Sequence, residues 1–172
     1  ANEVMSTLKS ALNEFYKGFV QINRTKLATL ISDVDILLNE ILPSLMNSMN
    51  YNEKAIVNAE IQKLKLENNE AKEVYNKKQV SQSEIDTAYD ELKNTLDSYY
   101  DAVSAETAYK SRILLAKEKV ENAVVGNGNG QYPKEAVDAL NEAIRIAEEG
   151  FESSTTLEEI INVTKTLKEA ID

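Results

Sequence analysis

Pairs of carboxylates are the side chains of this chain that could carry out general acid–base chemistry. The candidate pairs are Asp33 with Asp35, Glu148 with Glu149, and Glu158 with Glu159. A catalytic carboxyl group must lie within hydrogen-bond reach of the proton that it moves. Residues one or two positions apart on a helix point in diverging directions, and acidic residues near a helix start are expected because they oppose the helix dipole. The spacing therefore favours solvated surface charge and predicts no catalytic residue.

Metal binding is the second function for which we considered the residue types of the chain. Di-metal sites in helical bundles use Glu-x-x-His pairs, whereas the chain has no His and no Cys. Residues 127–130 hint at a calcium loop, but they lack the acidic oxygens and the terminal Glu of such loops. Glycines after a helix end more often provide left-handed backbone geometry. The sequence predicts no metal and no cofactor.

Tyrosine is the one enriched residue type that suggests a binding surface. The chain has eight Tyr and no Trp, and Tyr rings can stack on sugars or anchor protein partners. The candidate ligand or partner surface consists of Tyr99, Tyr100, Tyr109, Tyr132 and Phe151. The alternative is that most of these rings cover a thin helical core, and the lack of Trp weighs against a carbohydrate site.

Composition and charge define the class of protein that holds these residues. Of 172 residues, 42% are hydrophobic and 28% charged, with five Gly and two Pro, which favours a helix-rich fold. The net charge of −10 argues against a nucleic-acid partner, because the phosphate backbone requires a basic surface. No apolar run reaches the roughly 20 residues of a membrane-spanning helix. The start at Ala1 without Met suggests removal of an export signal or of a lipoprotein leader with its lipid anchor.

Apolar residues recurring at intervals of three and four predict five helices. The first carries an apolar stripe from Val4 to Ile22 that resumes after a five-residue step, so it either stutters or breaks near Asn23. Pro43 then kinks or ends it. The second helix is predicted over residues 52–77. Its apolar seam includes Asn68, which either fixes the packing register or occupies a partly exposed position.

The third helix has the most clearly marked start. Ser81 and Glu84 form a capping box, which stabilises a helix by about 1 kcal/mol. No Gly or Pro occurs over residues 81–125. The pattern predicts one continuous helix about 65 Å long, which is too long for one small bundle.

The last two helices follow a glycine–asparagine turn. The turn begins at Gly126, and Pro133 is suited to the first turn of the fourth helix because a missing N–H costs nothing there. This helix is predicted to stop at Gly150. Thr156 and Glu159 form a second capping box ahead of the fifth helix.

The two halves of the chain correspond weakly but in the same order, for example at Tyr51 and Tyr132. Such an ordered correspondence predicts a tandem repeat. The predicted fold is all-α, with two tandem three-helix bundles that share one long central helix, five helices in total. Residues 24–104 form the first bundle and residues 105–172 the second. Residues 1–23 are an N-terminal helix that extends or caps the first bundle.

The second half of the chain resembles a FIVAR module. The resemblance rests on a Gly/Asn turn, the run Tyr-Pro-Lys-Glu-Ala-Val-Asp-Ala-Leu-Asn-Glu-Ala-Ile at residues 132–144, and Thr-Thr-Leu-Glu-Glu-Ile at residues 155–160. It covers residues 113–172 well. Residues 27–100 match poorly, since Asn52 stands where the module has a proline or threonine, so the first half is a divergent FIVAR-like bundle.

The resemblance implies a non-catalytic function. FIVAR modules are three-helix bundles in giant adhesins of bacterial surfaces and beside glycan-degrading catalytic domains, where they act as spacers or attachment modules. The chain is thus expected to be an exported, monomeric, non-catalytic module at the bacterial cell surface or in the periplasm. A surface glycan or a host protein is the expected partner. A rigid rod would support a spacer, and a pocket lined by the named tyrosines would support adhesion.

Two other functions are consistent with the same residues. An intracellular coiled-coil scaffold would bind partner helices through the stripe from Val4 to Ile22, and it predicts dimerisation or helix exchange through that segment. An enzyme would need a pair of carboxylates brought together in a cleft.

Overall fold

The computed structural model describes residues 2–17, 21–128 and 130–171, and their fold is all-α, as predicted. The elements are α1 (Asn2–Lys17), α2 (Thr25–Ile36), a π-helical turn (Leu37–Ile41), α3 (Leu42–Met46), α4 (Tyr51–Asn76), α5 (Gln82–Ala102), α6 (Ala105–Glu121), α7 (Lys134–Ser153) and α8 (Leu157–Ile171). Because α2, the π turn and α3 follow one another without interruption, the described residues form seven separate helices. The predicted count of five is therefore wrong.

The first predicted helix is broken, which decides between the two alternatives for Asn23. Residues 21–24 are not helical, and the Asn23 side chain accepts a hydrogen bond from the backbone N–H of Thr25 at 3.0 Å. The backbone N–H of Asn23 donates to the side-chain oxygen of Gln82 at 2.8 Å. Side chain–backbone bonds of this kind compete with helix continuation. Residues 18–20 of the apolar stripe lie outside the described residues.

Pro43 lies inside a helical run instead of ending it. The run continues to Met46, and the π turn Leu37–Ile41 lies directly before the two residues that open α3, Leu42 and Pro43. Proline lacks the N–H of a regular helical hydrogen bond, and a π turn changes the hydrogen-bond register by one residue. The π turn thus lies where the regular α-helical hydrogen bonds would otherwise require an N–H from Pro43.

The long third helix is the main error of the sequence prediction. α5 ends at Ala102, and both Val103 (ψ 166°) and Ser104 (ψ 152°) have extended backbones. The Ser104 hydroxyl accepts a hydrogen bond from the backbone N–H of Thr107 at 3.2 Å, so Ser104 is the N-cap of α6. A serine N-cap satisfies an otherwise unpaired N–H, which allows a helix to restart without Gly or Pro.

Both predicted capping boxes are confirmed. Ser81 accepts from the backbone N–H of Glu84, and Glu84 accepts from the backbone N–H of Ser81 at 2.8 Å. At α8, the backbone N–H of Glu159 donates to the Thr156 hydroxyl at 3.3 Å, and that of Thr156 donates to the Glu159 carboxylate at 3.0 Å. Each reciprocal pair fixes the first residue of its helix.

Gly150 does not end a helix, contrary to the prediction. It lies inside α7, which continues to Ser153. A Cβ atom at position 150 would lie 2.8 Å from a methyl carbon of Val163 on α8. The glycine is therefore explained by the close approach of two helices.

Asn68 is buried, which excludes the partly exposed position considered for it. Its amide nitrogen donates to Asp35 at 2.8 Å, and Lys72 donates to the same carboxylate at 2.6 Å. The polar residue on the apolar seam of α4 thus pairs with a residue of α2.

The described helices pack around two apolar cores. The first lies among α2, the π turn, α4 and α5, and the second among α6, α7 and α8. Helix α6 contributes to both. Ala108 and Leu115 belong to the first core, and Tyr109, Ile113 and Ala116 belong to the second. We call α2–α5 the first group of helices and α6–α8 the second group. Helix α6 connects them because two of its faces pack into the two cores.

Candidate functional site

The five aromatic candidates do not form one accessible surface. Tyr99, Tyr100 and Tyr109 are buried, which corrects their predicted place on a ligand surface. Burial raises the pKa of Tyr99 to about 12. Burial, followed by the nearby carboxylates of Glu148 and Glu152, raises the pKa of Tyr109 to about 12. These rings belong to the interior, as in the alternative that most of them cover a core.

The remaining two candidates lie apart. Phe151 is half-buried, and its ring stacks on that of Tyr109 with centroids 4.0 Å apart and planes 3° from parallel. This contact joins α7 to α6. Tyr132 is exposed in the loop before α7, where its backbone pairs with that of Val124 and Gly126. Of the five, only Tyr132 is exposed, by 45%.

An exposed tyrosine that the sequence reasoning missed lies on a different surface. Tyr51 is 86% exposed and borders a wide groove of about 880 Å³ between the start of α4, the α5–α6 corner and the α7–α8 turn. Exposed Ile56 and Leu157 line the same groove. The sequence could have indicated this exposure, because Tyr51 lies outside the apolar seam of α4.

The α5–α6 corner is held by a buried hydrogen bond. The hydroxyl groups of Tyr99 and Ser111 lie 2.8 Å apart. Tyr99 is in the last turn of α5 and Ser111 in the second turn of α6. Buried hydroxyl groups require partners, so this bond fixes the two helices relative to each other.

A carboxylate of α4 connects to the same corner. Glu53 accepts hydrogen bonds from the Ser104 hydroxyl at 2.8 Å and from the Thr107 hydroxyl at 2.5 Å. The bond from Thr107, and then that from Ser104, lowers the pKa of Glu53. Hydrogen bonds to the ionised form stabilise it, so Glu53 connects the start of α4 to the start of α6.

Two ion pairs also join the two groups of helices. Lys119 of α6 contacts Asp33 of α2 at 2.6 Å, and these side chains are only 16% and 14% exposed. Lys168 of α8 contacts Asp97 of α5 at 2.7 Å. Partly buried pairs are screened less by salt than exposed ones.

Arg112 lines one cavity together with both ion pairs. The residue is 7% exposed, and its guanidinium carbon lies 3.5 Å from the centre of the Tyr100 ring. Its buried Nε has no hydrogen-bond partner. A buried charge is normally paired, whereas Arg112 makes no ion pair with any described residue. Burial raises the pKa of Tyr100, and the positive charge of Arg112 opposes that rise.

The carboxylates considered for acid–base chemistry are engaged separately. The observed partners are Lys119 for Asp33, Lys72 and Asn68 for Asp35, Lys117 for Glu148, Arg145 for Glu149, and the backbone of Thr155 and Thr156 for Glu159. Asp33 and Asp35 thus contact different partners, as do Glu148 and Glu149, and Glu159 is engaged in the cap of α8. Among the described residues, no three potential metal ligands cluster.

Comparison of the chain with protein-family models, curated proteins and solved structures gives no match. The class of protein is therefore defined only by the fold and by the contacts between the two groups of helices, which we call the junction. It is an all-α protein in which two groups of helices are connected through α6. None of the described helices combines the length and the apolar character needed to cross a membrane.

Proposed function

We propose that the chain is a non-catalytic helical spacer or attachment module built from two tandem three-helix bundles. The observation that supports this most directly is the position of α6, which contributes Leu115 to the first core and Ile113 to the second. Protein interiors are close-packed and resist deformation. A helix shared between two cores therefore holds both groups of helices in one mutual orientation, which is what a spacer needs.

The polar contacts at the junction support the same function. The Lys119–Asp33 pair, the Lys168–Asp97 pair and the Glu53 hydrogen bonds each span both groups of helices. Relative motion would have to break several of them together. A rigid module of this kind would fix the distance and orientation between groups attached to its two ends.

The first bundle comprises residues 24–104 and the second residues 105–172, the bounds that the internal repeat predicts. The FIVAR resemblance supports the location and the partner. The module is exported and acts at a bacterial cell surface or in the periplasm, as a monomer. Its weak adhesion partner, a surface glycan or a host protein, would meet the groove beside Tyr51, because that ring is accessible whereas Tyr99 and Tyr100 are not.

Distance measurements between spin labels test the spacer function. The chain has no Cys, so Asn69→Cys on α4 and Asn141→Cys on α7 give two labels on exposed positions, one in each group of helices. Asn69→Cys with Asn94→Cys on α5 is the control pair within the first group. We expect distance distributions of similar width for both pairs. A broad or two-peaked distribution for the pair on α4 and α7 alone would rule out a rigid spacer.

The adhesion function needs a separate test. Glycan and host-matrix arrays would be probed with the unmodified chain and with Tyr51→Ala, using Tyr132→Ala as the control for another exposed tyrosine. Adhesion through the groove predicts that only Tyr51→Ala loses binding, since aromatic residues commonly dominate binding energy. Equal loss in both variants, or no effect of Tyr51→Ala, would count against this surface.

A second candidate function is favoured by α1. Val4, Met5, Leu8 and Leu12 are all exposed, by 44% to 71%. Only Lys9 is charged between Val4 and Leu12, so two copies of this stripe would meet little charge repulsion. The alternative is a helical scaffold that binds partner helices through α1, with a second copy of the chain as the simplest partner.

Light scattering separates this alternative from the monomeric spacer. The scaffold function predicts a concentration-dependent dimer that Leu8→Lys returns to a monomer. A chain that stays monomeric at high concentration would exclude pairing through α1.

A further inference from the structure

Two neighbouring cavities share Arg112 in their lining, and together we term them the junction cleft. One, of about 230 Å³, lies between α2, α5, α6 and α8, and the other, of about 500 Å³, lies between α5, α6 and α8. Tyr100, Arg112 and Lys168 line both. The junction cleft thus extends along the contact between the two groups of helices.

The junction cleft is locally basic in an acidic protein. The cationic side chains that line it are Lys26, Lys93, Arg112, Lys119, Lys165 and Lys168, against three aspartates. The whole chain has 19 Lys and Arg against 29 Asp and Glu. Two of these lysines, Lys119 and Lys168, pair with Asp33 and Asp97, and the remaining excess of positive charge raises the local concentration of anionic ligands. Its charge therefore favours an anion.

Arg112 provides the group that an anion would meet. It is more than nine-tenths buried, its guanidinium carbon lies 3.5 Å from the centre of the Tyr100 ring, and its Nε has no hydrogen-bond partner. A guanidinium offers a planar fork of donors that matches a carboxylate. Because a buried charge without a partner is costly, a ligand carboxylate at the terminal nitrogens of Arg112 would supply the ion pair that the described residues do not.

The wall of the larger cavity is apolar on one side. Leu157 and Ile161 of α8 line it and are 64% and 51% exposed. Val103 and Ala108 also line this cavity. Pockets for small molecules commonly have about 300–1,000 Å³ and combine apolar walls with a few polar groups.

We propose that the junction cleft binds a small organic carboxylate with an apolar body. The carboxylate accepts hydrogen bonds from Arg112, and Lys165 adds positive charge beside it. The apolar body lies along Leu157 and Ile161. This site goes beyond the spacer function but rests, like it, on a fixed orientation of the two groups of helices, which the spin-label distances test separately from ligand binding.

Calorimetric titration with octanoate tests the proposal. Acetate carries the same charged group without the apolar body, and 1-octanol carries the apolar body without the charge. We expect octanoate to bind at least tenfold more tightly than either compound. Failure of octanoate to bind, or equal binding of octanoate and one of the two controls, would overturn the proposal.

Substitutions locate the site. We expect Arg112→Gln to weaken octanoate binding at least tenfold, whereas Arg145→Gln, which alters an exposed arginine of α7, leaves it unchanged. Because Arg112 is buried, Ile161→Glu is a second variant at an exposed position, with Ile146→Glu as a matched control at a residue 48% exposed. We expect a loss of at least tenfold for Ile161→Glu and none for Ile146→Glu. Full affinity in Ile161→Glu, or in a folded Arg112→Gln variant, would overturn the assignment.

Discussion

The hydroxyl groups of Tyr99 and Ser111 form a 2.8 Å hydrogen bond between two side chains that have no exposed surface. Removal of one hydroxyl leaves the other buried without its partner. Such a loss costs about 1–3 kcal/mol, whereas removal of both partners can be nearly neutral. The bond is thus a test of how strongly the α5–α6 corner depends on polar pairing.

Tyr99→Phe and Ser111→Ala are each expected to lower the free energy of unfolding by about 1–3 kcal/mol. The double variant should lose clearly less than the sum of the two. Urea denaturation of the four proteins gives this double-mutant cycle. Additive losses would mean that the two hydroxyl groups do not stabilise the fold as a pair.

The Lys119–Asp33 contact should contribute more than an exposed ion pair. Its side chains are 16% and 14% exposed, compared with 45% and 59% for Lys110 and Glu106. We expect Lys119→Met to lower the free energy of unfolding by about 1–2 kcal/mol, because it leaves a partly buried carboxylate without this partner. Lys110→Met should change it by less than about 0.5 kcal/mol. Thermal or urea unfolding of both variants decides this, and equal effects would contradict the expected role of burial.

The hydrogen bonds to Glu53 predict a pH dependence. The pKa of Glu53 is held below its ordinary value of 4.5 by the hydroxyl of Thr107 and then by that of Ser104. A lowered carboxyl pKa stabilises the fold in full above the unfolded pKa, and the contribution disappears as the pH falls through the folded pKa.

Glu53→Gln should therefore lower the free energy of unfolding by about 1 kcal/mol near neutral pH. The difference from the unmodified chain should shrink as the pH falls below 4.5 and through the folded-state pKa of Glu53. Glu106→Gln, at an exposed ion pair of α6, is the control and should differ by less than about 0.5 kcal/mol throughout. A difference for Glu53→Gln that does not change with pH would show that its charge is not responsible.

Gly150→Ala should change the free energy of unfolding in opposite directions in two backgrounds. Alanine normally favours a helix interior over glycine by about 1 kcal/mol, but here its Cβ would lie 2.8 Å from a methyl of Val163. Overpacking costs about 1–3 kcal/mol, so Gly150→Ala should destabilise the chain. In a Val163→Ala background the same change should stabilise it. Chemical denaturation of the four proteins measures both effects, and a stabilising Gly150→Ala in the unmodified chain would contradict the packing explanation.

The sequence predicts helix starts better than helix connections. The capping boxes at Ser81 and Thr156 were found because both partners lie three residues apart along the chain. The break at Ser104 was missed because an N-cap serine followed by Thr107 resembles ordinary helical sequence. Its cause includes Glu53, a residue 51 positions away from Ser104, and such a contact leaves no local pattern.

The candidate surface was harder to predict than the fold. Tyr99 and Tyr100 are adjacent in sequence, so periodicity assigns at most one of them to a core face, yet both are buried. The corner after α5 brings Ser111 to the first ring and Arg112 to the second. Burial of both rings depends on α6, whose orientation no spacing within α5 specifies.

Because α6 completes two cores, the order in which the chain leaves the ribosome matters. Domains usually fold as units while synthesis proceeds. The first group of helices cannot bury its full apolar surface until Leu115 has emerged, which is 13 residues after α5 has ended at Ala102. A nascent chain that pauses between these points would expose an unfilled apolar surface to chaperones, and the segment 103–115 is where such a pause would be most harmful.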